Sequence, residues 1–186
     1  MTADIMKTWP RRPIIYEINA WVWLKELDGR YGRSIKLGSV PAKEWDQLAE
    51  SGFDGVWLMG AWERSPAGRG ISLNTPAVQE ESRRTLPDFA PGDASGSPYC
   101  IHRYVVDKHL GGKASLAAAR KALAERKLRL LLDFVPNHVA PDHPWVREHG
   151  EYFVQGSKET GGRDGQCPRR SPRQPPVSLP ARTTRR

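Results

Sequence analysis

Three stretches of the chain are apolar over most of their length without a clean apolar/polar alternation: "IIYEINAWVWL" (14–24), "GVWLMG" (55–60) and "LRLLLDFV" (128–135). Each is rich in β-branched, aromatic or leucine side chains and bounded by turn residues, which predicts strands. Near-continuous apolar strands suit a sheet buried on both faces, as parallel sheets are. Between them lie two helical patterns. "PAKEWDQLAESG" (41–52) opens on Pro41, stops at Gly52 and sets Trp45, Leu48 and Ala49 on one side. "KASLAAARKALAERK" (113–127) is alanine-rich, with Leu116, Ala119 and Leu123 at helical spacing. The order strand, helix, strand, long loop, helix, strand predicts an α/β fold with a parallel sheet.

The region 61–112 is long for a connection between a strand and a helix, and it is full of Gly, Pro, Ser and Asp. Such a loop is usually functional or mobile. The last stretch, 161–186, has no aromatic residue and no periodicity, so it is expected to be disordered. It also changes the meaning of the net charge. The chain carries +8, but seven Arg and one Asp of 161–186 account for +6 of it, leaving +2 for the rest. The basicity is a tail property, and nucleic acid is not the expected partner beyond weak binding by that tail. Two cysteines, Cys100 and Cys167, make no disulfide framework or metal spacing. There is no apolar signal core and no 18-residue apolar run, so no membrane partner is expected and a cytoplasmic location is the default reading.

In parallel α/β folds ligands bind at the carboxyl ends of the strands. Here the first strand run carries Glu17, Asn19, Trp21 and Trp23, and the second leads to Trp62, Glu63 and Arg64. The third ends in Asp133, Asn137 and His138. Aromatic rings beside carboxylates suit carbohydrate, because sugar C–H faces stack on rings while hydroxyls need hydrogen-bonding groups. Glu17, Glu63 and Arg64 read as a solvated rim.

At this point the sequence resembles a known family. "DFVPNH" (133–138) matches the Asp-x-x-x-Asn-His motif that closes the third barrel strand in the alpha-amylase family of glycoside hydrolases, family 13. "GFDGVWLMG" looks like that family's second strand, "SPYCIHRYVVDKHLGG" like the stretch before its second helix, and "YEINAWVWL" fits its first strand. The resemblance covers roughly 14–156. It implies the N-terminal portion, about three βα units, of a TIM (β/α)8 barrel that is incomplete. It implies a substrate, an α-glucan or oligosaccharide, and roles for single residues. Tyr99 corresponds to a tyrosine that stacks on the sugar at the cleaved bond, and His138 to a histidine that hydrogen-bonds the same sugar. Asp133 corresponds to an aspartate that supports the site and is not the nucleophile. Asn137 matches a position that ligates a structural calcium in many members; calcium is the one cofactor the resemblance raises, and none is certain. Two departures, Gly60 where the family often has Pro and Arg103 where it often has Asp, point to an atypical subgroup.

Retaining glycosidases need two carboxyl groups about 5–5.5 Å apart, as nucleophile and as acid/base. In the family these follow the fourth and fifth strands, and no segment after Val135 reads as Gly-Phe-Arg-x-Asp or as a later acid-bearing strand. The expected organisation is a lead-in (1–13), a partial amylase-type barrel (14–156) and a basic Pro/Arg-rich tail (157–186) whose composition is that of an out-of-frame reading. The expected function is that of a fragment of an alpha-amylase-like hydrolase or transglycosidase acting on α-glucosidic bonds in carbohydrate metabolism, inactive alone. A non-catalytic sugar-binding module, or a fragment of a sucrose phosphorylase or trehalose synthase type of transglycosidase, are the alternatives.

Overall fold

The computed structural model describes residues 9–153. The lead-in's first eight residues and the expected tail lie outside the described residues. The chain divides into two compact units, Met1–Glu63 with Val105–Phe134 and Arg64–Tyr104 with Val135–Arg186.

The first unit is built on a parallel sheet of β1 (Ile15–Asn19), β2 (Gly55–Met59) and β5 (Arg129–Leu132), in the order β1-β2-β5. Tyr16 aligns with Val56, which aligns with Leu130; Ile18 aligns with Leu58, which aligns with Leu132. Because side chains alternate along a strand, these rows share one face, while Glu17, Trp57 and Leu131 share the other. The first face packs on helices α2 (Ala42–Glu50) and α5 (Gly112–Glu125), the two helices predicted from periodicity. Val56, Leu58, Leu110 and Leu123 are fully buried there. The α/β class and parallel sheet are therefore as the pattern predicts.

One strand is shorter than predicted. The run 14–24 leaves the sheet at Asn19 and becomes helix α1 (Ala20–Tyr31). Asn19 caps it, its side-chain oxygen accepting from the Val22 amide at 3.4 Å, and Gly32, at φ 62°, ends it in the left-handed region that glycine tolerates. Ala20, Leu24 and Leu27 fall four and three residues apart and face the core. The β-branched and aromatic content of "AWVW" favours a strand, but burial of this stripe wins.

The region 61–112 is not a bare loop. It holds β3 (Trp62–Arg64), α3 (Pro66–Leu73), α4 (Pro76–Thr85) and β4 (Ile101–Val106), with β3 and β4 forming a two-stranded sheet. Both helices begin at a proline that follows Ser or Thr. Proline fits the first helical position, where its missing N–H is no loss. Ser65 caps α3 by accepting from the Gly68 amide at 2.7 Å. A short helix, α6 (Trp145–Glu148), follows in the second unit. Among the described residues no helix is long and apolar enough to cross a membrane.

The helical reading of 20–31 makes an unequal demand on its apolar residues. Leu27 is 0% exposed and Val22 is 52% exposed. Leu27→Ala is expected to cost about 2–5 kcal/mol and Val22→Ala under about 0.5 kcal/mol, read from urea-unfolding midpoints. Equal losses would mean that this stretch is a strand buried on both faces.

Candidate functional site

Asp133, one residue past β5, is 6% exposed, and its carboxylate is taken up by the end of β2. Oδ1 accepts from the Trp57 indole N–H at 2.8 Å and Oδ2 from the Gly60 amide at 2.6 Å. The Asp133 carbonyl accepts from the Trp62 indole N–H at 2.8 Å. Gly60 sits at φ 77°, which aims its N–H at the acid and which a side chain would strain. Glycine at this position supplies an amide donor that proline would lack. Asp133 thus fastens the carboxyl ends of two neighbouring strands.

The other three predicted residues belong to the second unit, and the fold brings them together. His138 Nε2 lies 3.1 Å from the Tyr99 carbonyl oxygen, and Nδ1 lies 2.9 Å from Asn137 Oδ1. A carbonyl can only accept, so Nε2 carries a proton. Tyr99 itself is 39% exposed. Its amide donates to Ser97 Oγ at 3.2 Å. The loop that carries it is held by two arginines, Arg64 and Arg69. Arg64 Nη1 donates to Ser95 Oγ at 2.6 Å and to the Gly96 carbonyl at 2.9 Å. Arg69 reaches the carbonyls of Ala94 and Pro91 at 2.5 and 2.6 Å. Arg64 is 8% exposed, so it is a buried brace and not the solvated rim expected of it. On the other side of His138, the Tyr104 hydroxyl accepts from the Val135 amide at 2.8 Å, holding the segment after Asp133 against β4.

A second cluster in this unit was not legible in sequence. Asp142 Oδ1 accepts from the Ser65 hydroxyl at 2.6 Å, and Oδ2 from the Ala67 amide at 3.0 Å, so the carboxylate sits over the start of α3. His102 Nδ1 is 3.5 Å from Asp142 Oδ1. Burial works to raise the Asp142 pKa, but the Ser65 and Ala67 hydrogen bonds and the nearby His102 hold it below the ordinary value. His143, 7% exposed, accepts from the Trp145 amide through Nδ1 at 3.2 Å. Burial, then repulsion by His102, lowers its pKa against the pull of Asp142 and Glu148. Cys100 is kept a thiol, its pKa raised chiefly by burial.

The chain was compared with known proteins. No protein-family model matches it. The alpha-1,4-glucan:maltose-1-phosphate maltosyltransferase of Mycolicibacterium smegmatis is 28% identical over 181 residues, covering 82% of this chain and 23% of that protein. The protein of the same name from Cereibacter sphaeroides is 36% identical over 81 residues, covering 41% of this chain and 12% of that one. An alpha-amylase from Lactobacillus plantarum superposes with a TM-score of 0.53 at 19% identity, over 90% of this chain and 31% of that one. A maltogenic alpha-amylase from Thermotoga neapolitana does so at 0.52 and 22%, over 90% and 32%. The chain has the fold of part of these two alpha-amylases, and it is similar in sequence to part of the two maltosyltransferases. It spans less than a quarter of the two maltosyltransferases and about a third of the two amylases.

The fit of calcium can be tested at Asn137. The ion takes six to eight oxygen ligands. Asn137 Oδ1 faces the His138 ring, and among the described residues no three of His, Cys, Asp or Glu gather as a metal cluster. These residues do not by themselves make a calcium cage.

The Asp142–His143 cluster predicts an acid response. His143 binds its proton more weakly folded than unfolded, so its contribution is present above its ordinary 6.5 and lost as pH falls through its lower folded value. Asp142 acts in the same direction below its ordinary 3.8. The urea midpoint, read by tryptophan fluorescence, is expected to fall from pH 7 to pH 5, and His143→Phe should flatten that slope. A slope unchanged by the substitution would contradict this.

Proposed function

We propose that this chain forms the sugar-contacting wall of an alpha-amylase-type hydrolase or transglycosidase acting on α-glucosidic bonds. The observation that carries the reading is the joining of Tyr99, His138 and Asn137 by hydrogen bonds, with Tyr99 left exposed on a braced loop. Tyr99 offers a ring face to a glucosyl unit. His138 offers the Nε2–H, which in this geometry is given to the Tyr99 carbonyl, so sugar uptake exchanges one hydrogen bond for another of similar strength. Asp133 fixes the strand ends from which these loops start and takes no part in bond cleavage. Its two oxygens are already engaged by Trp57 and Gly60.

No nucleophile or acid/base is assigned among the described residues, so the role proposed for them is sugar contact and not bond cleavage. Transfer to a sugar acceptor is the second reading. It is favoured by the maltosyltransferase name carried by both curated relatives described above.

The test is calorimetric titration of the full chain with a maltooligosaccharide. Saturable binding is expected, weakened about threefold to tenfold in Tyr99→Ala, in line with ~0.5–1.5 kcal/mol of ring contact, and retained in Tyr99→Phe. Absence of saturation, or binding indifferent to Tyr99→Ala, would overturn the assignment.

A further inference from the structure

Ser65 is 2% exposed and joins the two segments that carry Tyr99 and His138 in the second unit. Its backbone amide donates to the carbonyl of Cys100, the residue after Tyr99, at 2.9 Å. Its hydroxyl donates to Asp142 Oδ1 at 2.6 Å, and Asp142 follows His138 closely along the chain. The same hydroxyl oxygen accepts from the Gly68 amide at 2.7 Å and so caps α3. The two donors of one buried residue thus reach one segment each, while its oxygen holds a helix.

Asp142 is tied on further sides. Its Oδ2 accepts from the Ala67 amide at 3.0 Å, and His102 Nδ1, on β4, lies 3.5 Å from its Oδ1. That ring nitrogen is buried and makes no hydrogen bond among the described residues, so the Asp142 carboxylate is its ion-pair partner whenever the ring is protonated. Between His138 and Asp142, the Ala140 amide donates to the Ile101 carbonyl at 3.3 Å, and Ala140 is fully buried. Packing leaves no slack on the other side. A Cβ placed on Gly68 would lie 2.5 Å from Cys100 Sγ, so the first turn of α3 presses on the residue next to Tyr99. Contacts this close pass a shift on and do not absorb it.

The hydrogen bond between His138 Nε2 and the Tyr99 carbonyl is itself exposed. Water offers both groups the same partners, so that bond alone holds the two segments in register only weakly. The buried contacts beneath it hold them more firmly, because a buried donor or acceptor that loses its partner finds no replacement.

We propose that Ser65 and Asp142 are positioning residues for the sugar-contacting pair, their hydrogen bond setting the spacing of Tyr99 and His138. Ser65 fixes the Tyr99 loop through Cys100, and Asp142 fixes the segment that follows His138. The consequence for sugar rests on the function proposed above; the positioning itself rests on the buried contacts alone. Neither residue is a group for the sugar. Ser65 is enclosed, and both Asp142 oxygens already accept. Without their bond the two segments shift against each other, and Tyr99 and His138 lose affinity for sugar while remaining chemically intact.

Two measurements on the full chain test this. The first needs no sugar: nuclear Overhauser contacts between the His138 ring protons and the backbone protons of Tyr99 and Cys100. They are expected in the parent, and expected to be lost in Ser65→Ala and in Asp142→Asn, whose amide sets a donor against the Ser65 or Ala67 donor. Val146→Ala, a buried change in the same unit that spares this bond, should keep them. The second is calorimetric titration with a maltooligosaccharide. Asp142→Asn should weaken binding by no more than the roughly threefold to tenfold expected of Tyr99→Ala, and should add nothing once Tyr99 is already alanine. Circular dichroism reports folding; if Ser65→Ala, which also uncaps α3, does not fold, Asp142→Asn carries the test. A parent that binds no sugar overturns the sugar reading and leaves the Overhauser contacts to decide the positioning. Contacts that persist in the folded variants, or that vanish equally in Val146→Ala, overturn the positioning. So does a sugar affinity that Asp142→Asn still lowers in the Tyr99→Ala background.

Discussion

The carboxylate of Asp133 is the constraint on which the polar end of the sheet depends. A buried acid is tolerated only when hydrogen bonds replace the water it loses. Here the replacement comes from one indole N–H in the middle of β2 and one backbone amide just past its end. The exchange is specific in direction. Trp57 and Gly60 can only donate, so the residue facing them must accept twice, and a carboxylate does that without turning. The same residue sends its carbonyl to Trp62, so three separate donors converge on one position. The polar ending of an otherwise greasy strand is thereby explained: burial makes the strand, and the acid at its end sets where the neighbouring strand stops and the next loop begins.

The division of labour between the two units follows from chemistry of different kinds. The first unit is held by apolar burial between a sheet and its helices, with Val56, Leu58 and Leu123 fully enclosed. The second has less apolar core and more polar bracing. Arg64 and Arg69 hold the loop before Tyr99, and Asp142 ties the segment after His138 to the start of α3. An arginine that donates to backbone carbonyls restrains a loop whose backbone has few partners of its own. Such bracing keeps an exposed tyrosine in one place.

Much of this was legible in the sequence where a period or a motif was long enough to read. β2, α2, α5 and β5 fall where their apolar patterns place them. The part that was not legible has physical reasons. In "NAWVWLKEL" the aromatic and β-branched residues imitate a strand, and the stripe Ala20, Leu24, Leu27 emerges only once Asn19 is seen as a cap. The helices in 61–112 were announced by Ser65-Pro66 and Thr75-Pro76, a start signal that the Gly and Ser content of the region obscures. The buried state of Arg64 and the meeting of Ser65, His102 and Asp142 had no local signal. Ser65 and Asp142 are 77 positions apart, and only the fold brings them together.

The central claim is that Asp133 fastens the strand ends by accepting from two donors at once. Asp133→Asn tests it most directly, because the amide keeps the shape but turns one acceptor into a donor. Hydrogen exchange at the Gly60 amide, followed by NMR with the global stability of the chain, is the measurement. The account predicts a loss of about 1–3 kcal/mol, the cost of a buried donor left without an acceptor, together with clearly faster exchange at Gly60. A variant as stable as the parent, with Gly60 exchange unchanged, would contradict it.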